Sequence, residues 1–261
     1  MGLRVKRCSV KRMRILLASL LVLTLALVLV TSSRSQEADA VQDLVAIHER
    51  AAYGMVRIES SSGGGVTATG WLLEQREGVR PVIITNKHVA EAIRIPRIPE
   101  VLFYQGASQP ALRLRGRFVY TSASIDFAVI ALDTDPPTSP SGTRALTIES
   151  SDVRRGERIV LGGNPNTWQF QTTEGVVSGV APGNAACGRA RNCIMVDAAS
   201  MAGSSGGPAL NRRGRVIGML WGGQTFLQAF GLRIDNTSFS FLIHGRVLEE
   251  ELATIAARAQ R

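Results

Sequence analysis

Ser205 lies in the segment AGSSGGP (residues 202–208), in which glycines surround a small hydroxyl-bearing residue. Glycines permit a tight turn whose backbone N–H groups can face a developing oxyanion, and a serine nucleophile requires this environment. Gly/Ser-rich turns are also common in loops that carry no chemistry. The segment alone therefore leaves both interpretations open. The neighbouring Ser204 is a second hydroxyl, but its spacing to Gly-Gly-Pro argues against it as the nucleophile.

Two residues upstream could act together with Ser205. His88 follows the apolar run PVIIT (81–85), which predicts a buried strand, and Asp126 precedes the apolar run FAVIAL (127–132). A lone histidine is more often structural, and the aspartate could simply cap a loop, but an ionised carboxylate beside an apolar strand is costly unless it has a partner. The chain order His, Asp, Ser is that of chymotrypsin and differs from the orders in α/β-hydrolases and subtilisin. The three residues together favour a base, an orienting carboxylate and a nucleophile.

Four separated segments carry a resemblance to a known family. They are TNKHV (85–89), IDFAV (125–129), LGGNP (161–165) and the stretch from VDAA (196–199) to GSSGGP (203–208). In this order they resemble the trypsin-like serine proteases of the HtrA (Deg) type, over a range from about Tyr53 to about Glu251. The resemblance implies an all-β fold of two six-stranded antiparallel β-barrels (chymotrypsin-like) with short N- and C-terminal helices and a catalytic cleft between the barrels. The composition, 45% hydrophobic with 26 glycines in 261 residues, is compatible with one such unit.

The resemblance implies a role for each candidate residue. Ser205 would attack a peptide carbonyl, His88 would take and return the proton, and Asp126 would orient the histidine. The backbone N–H groups of Gly203 and Ser205 would form the oxyanion hole. The implied function is a serine endopeptidase that acts on exported or unfolded proteins and uses neither a metal nor a cofactor.

The primary specificity pocket is expected around an uncharged residue. Ala199, six residues before Ser205, lies at the base of this pocket in the trypsin-like arrangement, so the lack of a carboxylate argues against a preference for Arg or Lys. Small or medium aliphatic side chains are expected before the cut instead. The other predicted substrate-binding residues are Leu220, Trp221 and Gly222. Trp221 could instead pack in the core.

The segment before the nucleophile departs from the family pattern. Ser204 stands where the family usually has asparagine, and Met201-Ala202 stands where it usually has Asn-Pro. These changes concern the oxyanion turn. They leave open an alternative function: a protease-fold binding module that is catalytically latent because this turn does not form the oxyanion hole.

Strand-like segments divide the chain into two halves. Within a protease domain of 41–261, we expect a first barrel over about 53–132, a linker over 133–145, a second barrel over about 146–243 and a C-terminal helix over 246–260. A short helix is also expected from Val41 to about Ala52. Only about 18 residues follow the last predicted strand, so we expect a protease core without a PDZ domain.

Residues 1–40 are predicted to direct export. Six basic residues precede the apolar run at 15–30, which is typical of an export signal, and they supply much of the formal net charge of +9. The run is longer than a usual signal core and shorter than a comfortable span, so cleavage and retention as an inner-membrane anchor are both open. Either outcome predicts a periplasmic or other extracytoplasmic location. No basic stripe with interleaved aromatic residues suggests a nucleic-acid partner.

Cys187 and Cys193 bracket a short polar loop. In an oxidising compartment such a pair favours a disulfide, and a metal pair is the alternative, although no further His or Cys lies nearby. The expected partners are protein or peptide substrates. Because the family often assembles as trimers, a homo-oligomer is also left open.

Overall fold

The structure is a computed structural model of the 261-residue chain. It describes residues 44–61, 65–74, 81–93, 98–107, 111–136, 144–166, 168–181, 187–188, 193–229 and 232–259, and only the backbone of 224–229, 232–238 and 259. The signal or anchor predicted over 1–40 lies outside the described residues, as does most of the predicted linker. No helix among the described residues is long and apolar enough to cross a membrane.

The first half of the fold is a closed antiparallel barrel. Its strands are β1 (Met55–Ser60), β2 (Thr67–Leu72), β3 (Val82–Thr85), β4 (Pro99–Phe103), β5 (Leu112–Thr121) and β6 (Ala128–Leu132). They are hydrogen-bonded in the order β1-β2-β3-β6-β5-β4. The sequence of β5, LRLRGRFVYT, shows how such a strand forms, because its exposed arginines alternate with half-buried leucines.

The second half is another closed antiparallel barrel. Its strands are β7 (Arg158–Gly163), β8 (Gln171–Ala181), β9 (Cys193–Val196), β10 (Pro208–Asn211), β11 (Val216–Ala229) and β12 (Leu232–His244). The order β10-β11-β12-β9-β8-β7 repeats the cyclic order of the first barrel. Two closed six-stranded antiparallel barrels confirm the fold class expected from the sequence.

A connecting segment touches both barrels. Leu146, where the sequence suggested that the second barrel starts, forms a single bridge with Leu73 of the first half. Ile148 forms a single bridge with Val216 of the second half. The first full strand of the second barrel begins only at Arg158.

Each barrel has its own apolar core. Ile58, Ile83, Phe103 and Ile130 are completely buried in the first core. The second core includes Ile159, Leu161, Ile194 and Leu242, which are at most 2% exposed. Burial of one such side chain contributes about 1.5 to 3 kcal/mol, so each barrel is stabilised largely by its own interior.

Short helices flank the barrels, as expected. Residues 44–54 are helical and form α1. The helix α2 (Lys87–Ala92) begins directly after β3, and α3 (Gly245–Ala259) begins directly after β12. The helix α2 carries His88, and α3 packs its buried Leu248 against the second barrel.

Candidate active site

His88 and Asp126 lie side by side at the ends of two paired strands. β3 leads into His88, β6 follows Asp126, and Thr85 of β3 is paired with Ala128 of β6. One carboxylate oxygen of Asp126 lies 2.7 Å from ring Nδ1 of His88, and the other accepts the backbone N–H of His88 at 2.9 Å. Because a carboxylate can only accept, Nδ1 carries the proton and Nε2 is left as an acceptor. The histidine side chain is 46% exposed and the carboxylate only 14%, so the base faces solvent while its partner is shielded.

The turn that carries Asp126 is held by hydrogen bonds to its own backbone. The buried hydroxyl of Ser122 accepts the N–H groups of Ser124 at 3.1 Å and Ile125 at 3.2 Å. Asn86 donates its side-chain N–H to the backbone oxygen of Asp126 at 3.0 Å. Serine and asparagine side chains stabilise turns in this way, so the carboxylate is fixed before any ligand arrives.

Glu251 of α3 reaches the same turn. Its carboxylate, in a residue that is 7% exposed, accepts the hydroxyl of Tyr120 at 2.8 Å and that of Ser124 at 2.7 Å. Burial and the hydrogen bond to Glu251 raise the pKa of Tyr120, so its hydroxyl keeps its proton and donates. A buried carboxylate needs such donors. The C-terminal helix is thereby joined to the turn that carries Asp126.

Ser205 lies in a tight turn that depends on glycine. The N–H of Ser204 binds the backbone oxygen of Met201 at 3.0 Å, and the N–H of Gly207 binds that of Ser204 at 2.9 Å. Gly203 and Gly206 have φ angles of +96° and +87°, which L side chains rarely adopt. Ser205 itself is partly exposed, whereas Ser204 is 4% exposed.

Thr69 of β2 connects this turn to the strand that leads to the histidine. Its N–H donates to the backbone oxygen of Ser205 at 2.9 Å, and its own backbone oxygen accepts the hydroxyl of Thr85 at 2.7 Å. Thr85 lies three residues before His88. A Cβ on Gly206 would come within 2.0 Å of the Thr69 oxygen, so only glycine permits this approach. The Ser205 turn therefore lies against the strand end from which α2 and His88 start.

Asn164 links the two barrels beneath the turn. It is completely buried, and its side-chain N–H₂ donates to the backbone oxygen of Val56 at 3.0 Å and to the hydroxyl oxygen of Thr69 at 3.2 Å. Its side-chain oxygen accepts the N–H of Phe170 at 2.8 Å. The Thr69 hydroxyl in turn donates to the backbone oxygen of Gly203 at 2.8 Å. Asn164 belongs to the LGGNP segment (161–165), which resembles the family but for which the sequence alone predicted no role.

Arg57 of β1 makes a second link to the turn. It is 8% exposed, and it donates to Glu59 at 2.6 Å and to the backbone oxygen of Asn166 at 3.2 Å. The N–H of Asn166 donates to the backbone oxygen of Ala202 at 2.8 Å. A buried cation of the first barrel thus supports the residue that precedes Gly203.

The predicted specificity residues lie in different places. Ala199 lines a cavity of about 210 Å³ together with Trp168, Met201 and Ser204. Leu220, Trp221 and Gly222 are not among the lining residues of this cavity. The structure therefore does not gather the four predicted substrate-binding residues around one cavity in the part of the chain that it describes.

The remaining three specificity residues follow the nucleophile turn along β11. Leu220 exchanges two backbone hydrogen bonds with the turn, one to Gly207 and one from Gly206, each 2.8 Å long. Trp221 packs on Phe241, with ring centroids 5.9 Å apart, and its buried ring N–H has no partner among the described residues. A Cβ on Gly222 would meet no atom within 4 Å, so the backbone here borders open space.

The structure joins Cys187 and Cys193 in a disulfide, with the two Cα atoms 5.6 Å apart. Both cysteines are buried. Within the described ranges, no group of three or more His, Cys, Asp and Glu residues could hold a metal ion.

Three supporting residues were not found from the sequence. Thr69 and Arg57 act on backbone groups far away along the chain, and no local pattern marks such a role. Glu251 could have been noticed, because it lies three residues after Leu248 and therefore on the apolar side of the predicted helix.

Comparisons of the sequence with protein families and with individual proteins agree on one family. A family model described as a trypsin-like peptidase domain matches residues 68–219. The chain is 31% identical over 167 residues to the serine protease Do-like HtrA of Bacillus subtilis, covering 62% of this chain and 33% of that protein. It is 29% identical over 210 residues to Do-like HtrB of the same organism, covering 72% and 42%. The chain thus spans about a third to two fifths of the length of these relatives.

The likeness extends to solved structures. The crystal structure of Deg5 superposes with a TM-score of 0.59 at 22% identity, covering 80% of this chain and 91% of that one. At this identity the superposition supports the fold alone.

Proposed function

Because the chain belongs to the trypsin-like peptidase family and carries an HtrA-type protease domain, we propose that it is a serine endopeptidase whose catalytic residues are Ser205, His88 and Asp126. The observation that carries the proposal is the double hydrogen bond from Asp126 to the ring and backbone of His88. A merely structural histidine does not require both contacts together with a side chain that is nearly half exposed.

The proposed reaction follows the geometry of this pair. Nε2 of His88 removes the proton from Oγ of Ser205 while Oγ bonds to the peptide carbonyl carbon. The imidazolium that forms is stabilised by the Asp126 carboxylate at Nδ1. It then protonates the leaving amine, the C–N bond breaks, and an acyl-enzyme ester remains. Water, deprotonated by the same histidine, hydrolyses the ester and restores Ser205.

The oxyanion would be stabilised by backbone N–H groups of the nucleophile turn. No described residue accepts a hydrogen bond from the N–H of Gly203 or of Ser205, whereas the N–H of Ser204 is already bound to Met201. These two donors are therefore available to a carbonyl oxygen that develops charge. Each such donor contributes roughly 3 kcal/mol of transition-state stabilisation in related chemistry.

The proposed substrates are exported or unfolded proteins that the cleft can bind as extended segments. Ala199 offers no carboxylate to pair with Arg or Lys, so we propose cleavage after small or medium aliphatic side chains. An extracytoplasmic location is part of the proposal, since residues 1–40 resemble an export signal and the Cys187–Cys193 disulfide suits an oxidising compartment.

A fluorophosphonate probe tests the proposed nucleophile directly, because it phosphonylates only an activated serine and releases fluoride. We expect the parent protein to be labelled, Ser205→Ala to be unlabelled, and Ser204→Ala to retain labelling, since the Ser204 side chain is buried. Labelling that is lost in Ser204→Ala and kept in Ser205→Ala would reverse the assignment. Absence of labelling in the parent protein would contradict the proposal and favour the latent binding module.

A further inference from the structure

A second cavity lies at the end of the second barrel that faces away from the nucleophile turn. It has a volume of about 840 Å³, within the range of ligand-binding pockets. Two segments form it: residues 151–158, which lead into the first residue of β7, and residues 211–213, which begin at the last residue of β10. The strand β10 separates it from the Ser205 turn by three residue steps, roughly 10 Å. We call it the arginine cavity.

The lining of the arginine cavity is polar and dominated by guanidinium groups. Its five arginines are Arg154, Arg155, Arg158, Arg212 and Arg213. The other lining residues are Ser, Asp, Gly, Glu and Asn, and no apolar side chain lines it. A peptide or a lipid tail would find no apolar surface here, so a ligand must be strongly polar and anionic.

Only part of this positive charge is neutralised by neighbours. Arg158 pairs with Glu174 at 2.6 Å, and Arg213 lies 3.8 Å from Glu149. Hydrogen bonds from Ser151 lower the pKa of Glu149, and so do the positive charges of Arg215 and Arg213, so this acid stays ionised.

Three arginines of the cavity lack such a partner. Arg154, Arg155 and Arg212 have no ion pair with any residue of the described part of the chain. Their side chains are exposed. The cavity is also lined by two acidic residues, Asp152, which pairs with Arg246 at 2.6 Å, and Glu157, which accepts the backbone N–H of Arg154 at 3.2 Å. The five arginines outnumber these two carboxylates, so the lining keeps an excess of positive charge that an anion could approach.

Both arginine-bearing turns are held rigidly. The side-chain oxygen of Asn211 accepts the N–H groups of Arg213 at 2.9 Å and Arg215 at 3.2 Å. On the other side, the N–H of Gly156 binds the backbone oxygen of Val177 at 2.8 Å. Little backbone freedom is then lost when a ligand binds.

A further guanidinium lies beneath the second turn. Arg50 of α1 packs against Gly214, where a Cβ would come within 2.7 Å of its Cδ, and its buried Nε has no partner among the described residues. Arg50 is not a lining residue of the cavity, but it adds a positive charge beside the residue that follows the second turn.

We propose that the arginine cavity binds a ligand that carries two or more adjacent phosphate groups. Guanidinium groups match phosphate oxygens with paired N–H donors, and several of them on rigid turns can contact neighbouring phosphates at once. A single carboxylate has one charge and would leave most of the arginines unpaired. This inference concerns a surface distinct from the catalytic residues and does not depend on the proposed function.

Binding of inorganic tripolyphosphate to the full chain, measured by calorimetry, tests the proposal. We expect the double variant Arg155→Ala/Arg212→Ala to bind at least tenfold more weakly than the parent. The matched control Arg115→Ala/Arg117→Ala removes the same charge from exposed positions on β5 and should bind as the parent does. The basic N-terminal residues are common to all three proteins, so they cancel in the comparison.

A second binding experiment, with lipid vesicles, distinguishes the phosphates of a lipid surface from those of a soluble polyphosphate. If vesicles of cardiolipin, whose headgroup carries two phosphates, bind the parent and the β5 control but not the cavity variant, the phosphates are those of a lipid surface. Cavity-dependent binding of tripolyphosphate without vesicle binding identifies a soluble polyphosphate, and both results support the site. No binding of 1 mM tripolyphosphate (a concentration of the order of a weak site), or equal losses in the two double variants, overturns the proposal.

Discussion

Both carboxylate oxygens of Asp126 accept hydrogen bonds from one residue, His88. The orientation of the histidine ring is therefore sensitive to the change of a single atom in residue 126. Replacement by asparagine puts an N–H₂ group where an oxygen now accepts from Nδ1 or from the backbone N–H. The ring would then be held in the wrong tautomer. We expect Asp126→Asn to lower kcat by roughly 10⁴-fold, as in other triad enzymes, with little change in the urea midpoint.

Asp133→Asn is the matched control for this experiment. Asp133 is half exposed and lies 4.0 Å from Arg117, so its loss should leave kcat unaltered. Equal activity of Asp126→Asn and the parent would remove Asp126 from the proposed triad.

His244 provides a pH dependence at the level of a single residue. Burial, together with the neighbouring Arg246, lowers the pKa of His244 below its ordinary value of 6.5, and its Nδ1 accepts the N–H of Arg246 at 3.0 Å. The folded state therefore binds fewer protons than the unfolded state, so stability is complete above about pH 6.5 and falls as the pH drops toward the lowered pKa.

The variant His244→Asn isolates this contribution, because asparagine can accept the same N–H and does not titrate. We expect the fall in Tm between pH 7.5 and pH 5.5 to be smaller in the variant than in the parent. Identical falls in the two proteins would show that His244 does not titrate differently in the folded state.

At the residue level, the sequence indicated more readily the residues that we propose to react than the residues that support them. His88 and Asp126 each adjoin an apolar run, and the chain order of His88, Asp126 and Ser205 indicated a possible catalytic set. Thr69 and Asn164 bind backbone atoms of distant segments, and the sequence does not show which backbone atoms will be neighbours.

At the level of elements, the helix α3 supports a turn of the other barrel through one side chain. Glu251→Ala would leave the hydroxyls of Tyr120 and Ser124 without their acceptor. We expect a loss of about 1 to 3 kcal/mol in the free energy of unfolding, measured by urea denaturation, and slower fluorophosphonate labelling because the Asp126 turn is released.

Two variants sharpen this prediction. Glu251→Gln keeps one carbonyl acceptor and should lose less stability than Glu251→Ala. Thr254→Ala, at an exposed position of the same helix, should change stability by no more than about 0.5 kcal/mol. If the alanine variants at 251 and 254 behaved alike, the helix would not support the turn.

The strands themselves were predictable because their apolar residues recur with the period of a β-strand. The first strand of the second barrel could not be predicted in the same way. Leu146 and Ile148 look like strand residues, but Leu146 forms a single bridge to the first barrel and Ile148 a single bridge to the second. A short apolar segment cannot reveal how many neighbours it will pair with.

For the whole molecule, Asn164 is one of the polar residues that join the barrels, because its side-chain N–H₂ and its backbone N–H donate to Val56 and Thr69 of the first barrel. Replacement by alanine removes its links to Val56, Thr69 and Phe170. We expect Asn164→Ala to lose about 2 to 4 kcal/mol of unfolding free energy and to react more slowly with the fluorophosphonate probe, because Ser205 would no longer be held relative to His88.

Asn164→Asp is the informative partner variant. It keeps an acceptor for the N–H of Phe170 but loses the donors to Val56 and Thr69, so its labelling rate should fall while part of the stability remains. Parent-like labelling in both variants would show that this residue does not position the Ser205 turn.

The place of Glu251 in α3, after the strands of both barrels, also sets an order of assembly. During synthesis from the N-terminus, all strands of the first barrel and the His88–Asp126 pair are complete before α3 exists. Tyr120 and Ser124 receive their acceptor only after the Ser205 turn and β12 have been made. The helix α3, which follows both barrels, thus secures the earliest part of the proposed site, so that a growing chain would reach the proposed peptidase competence only after α3 has been made.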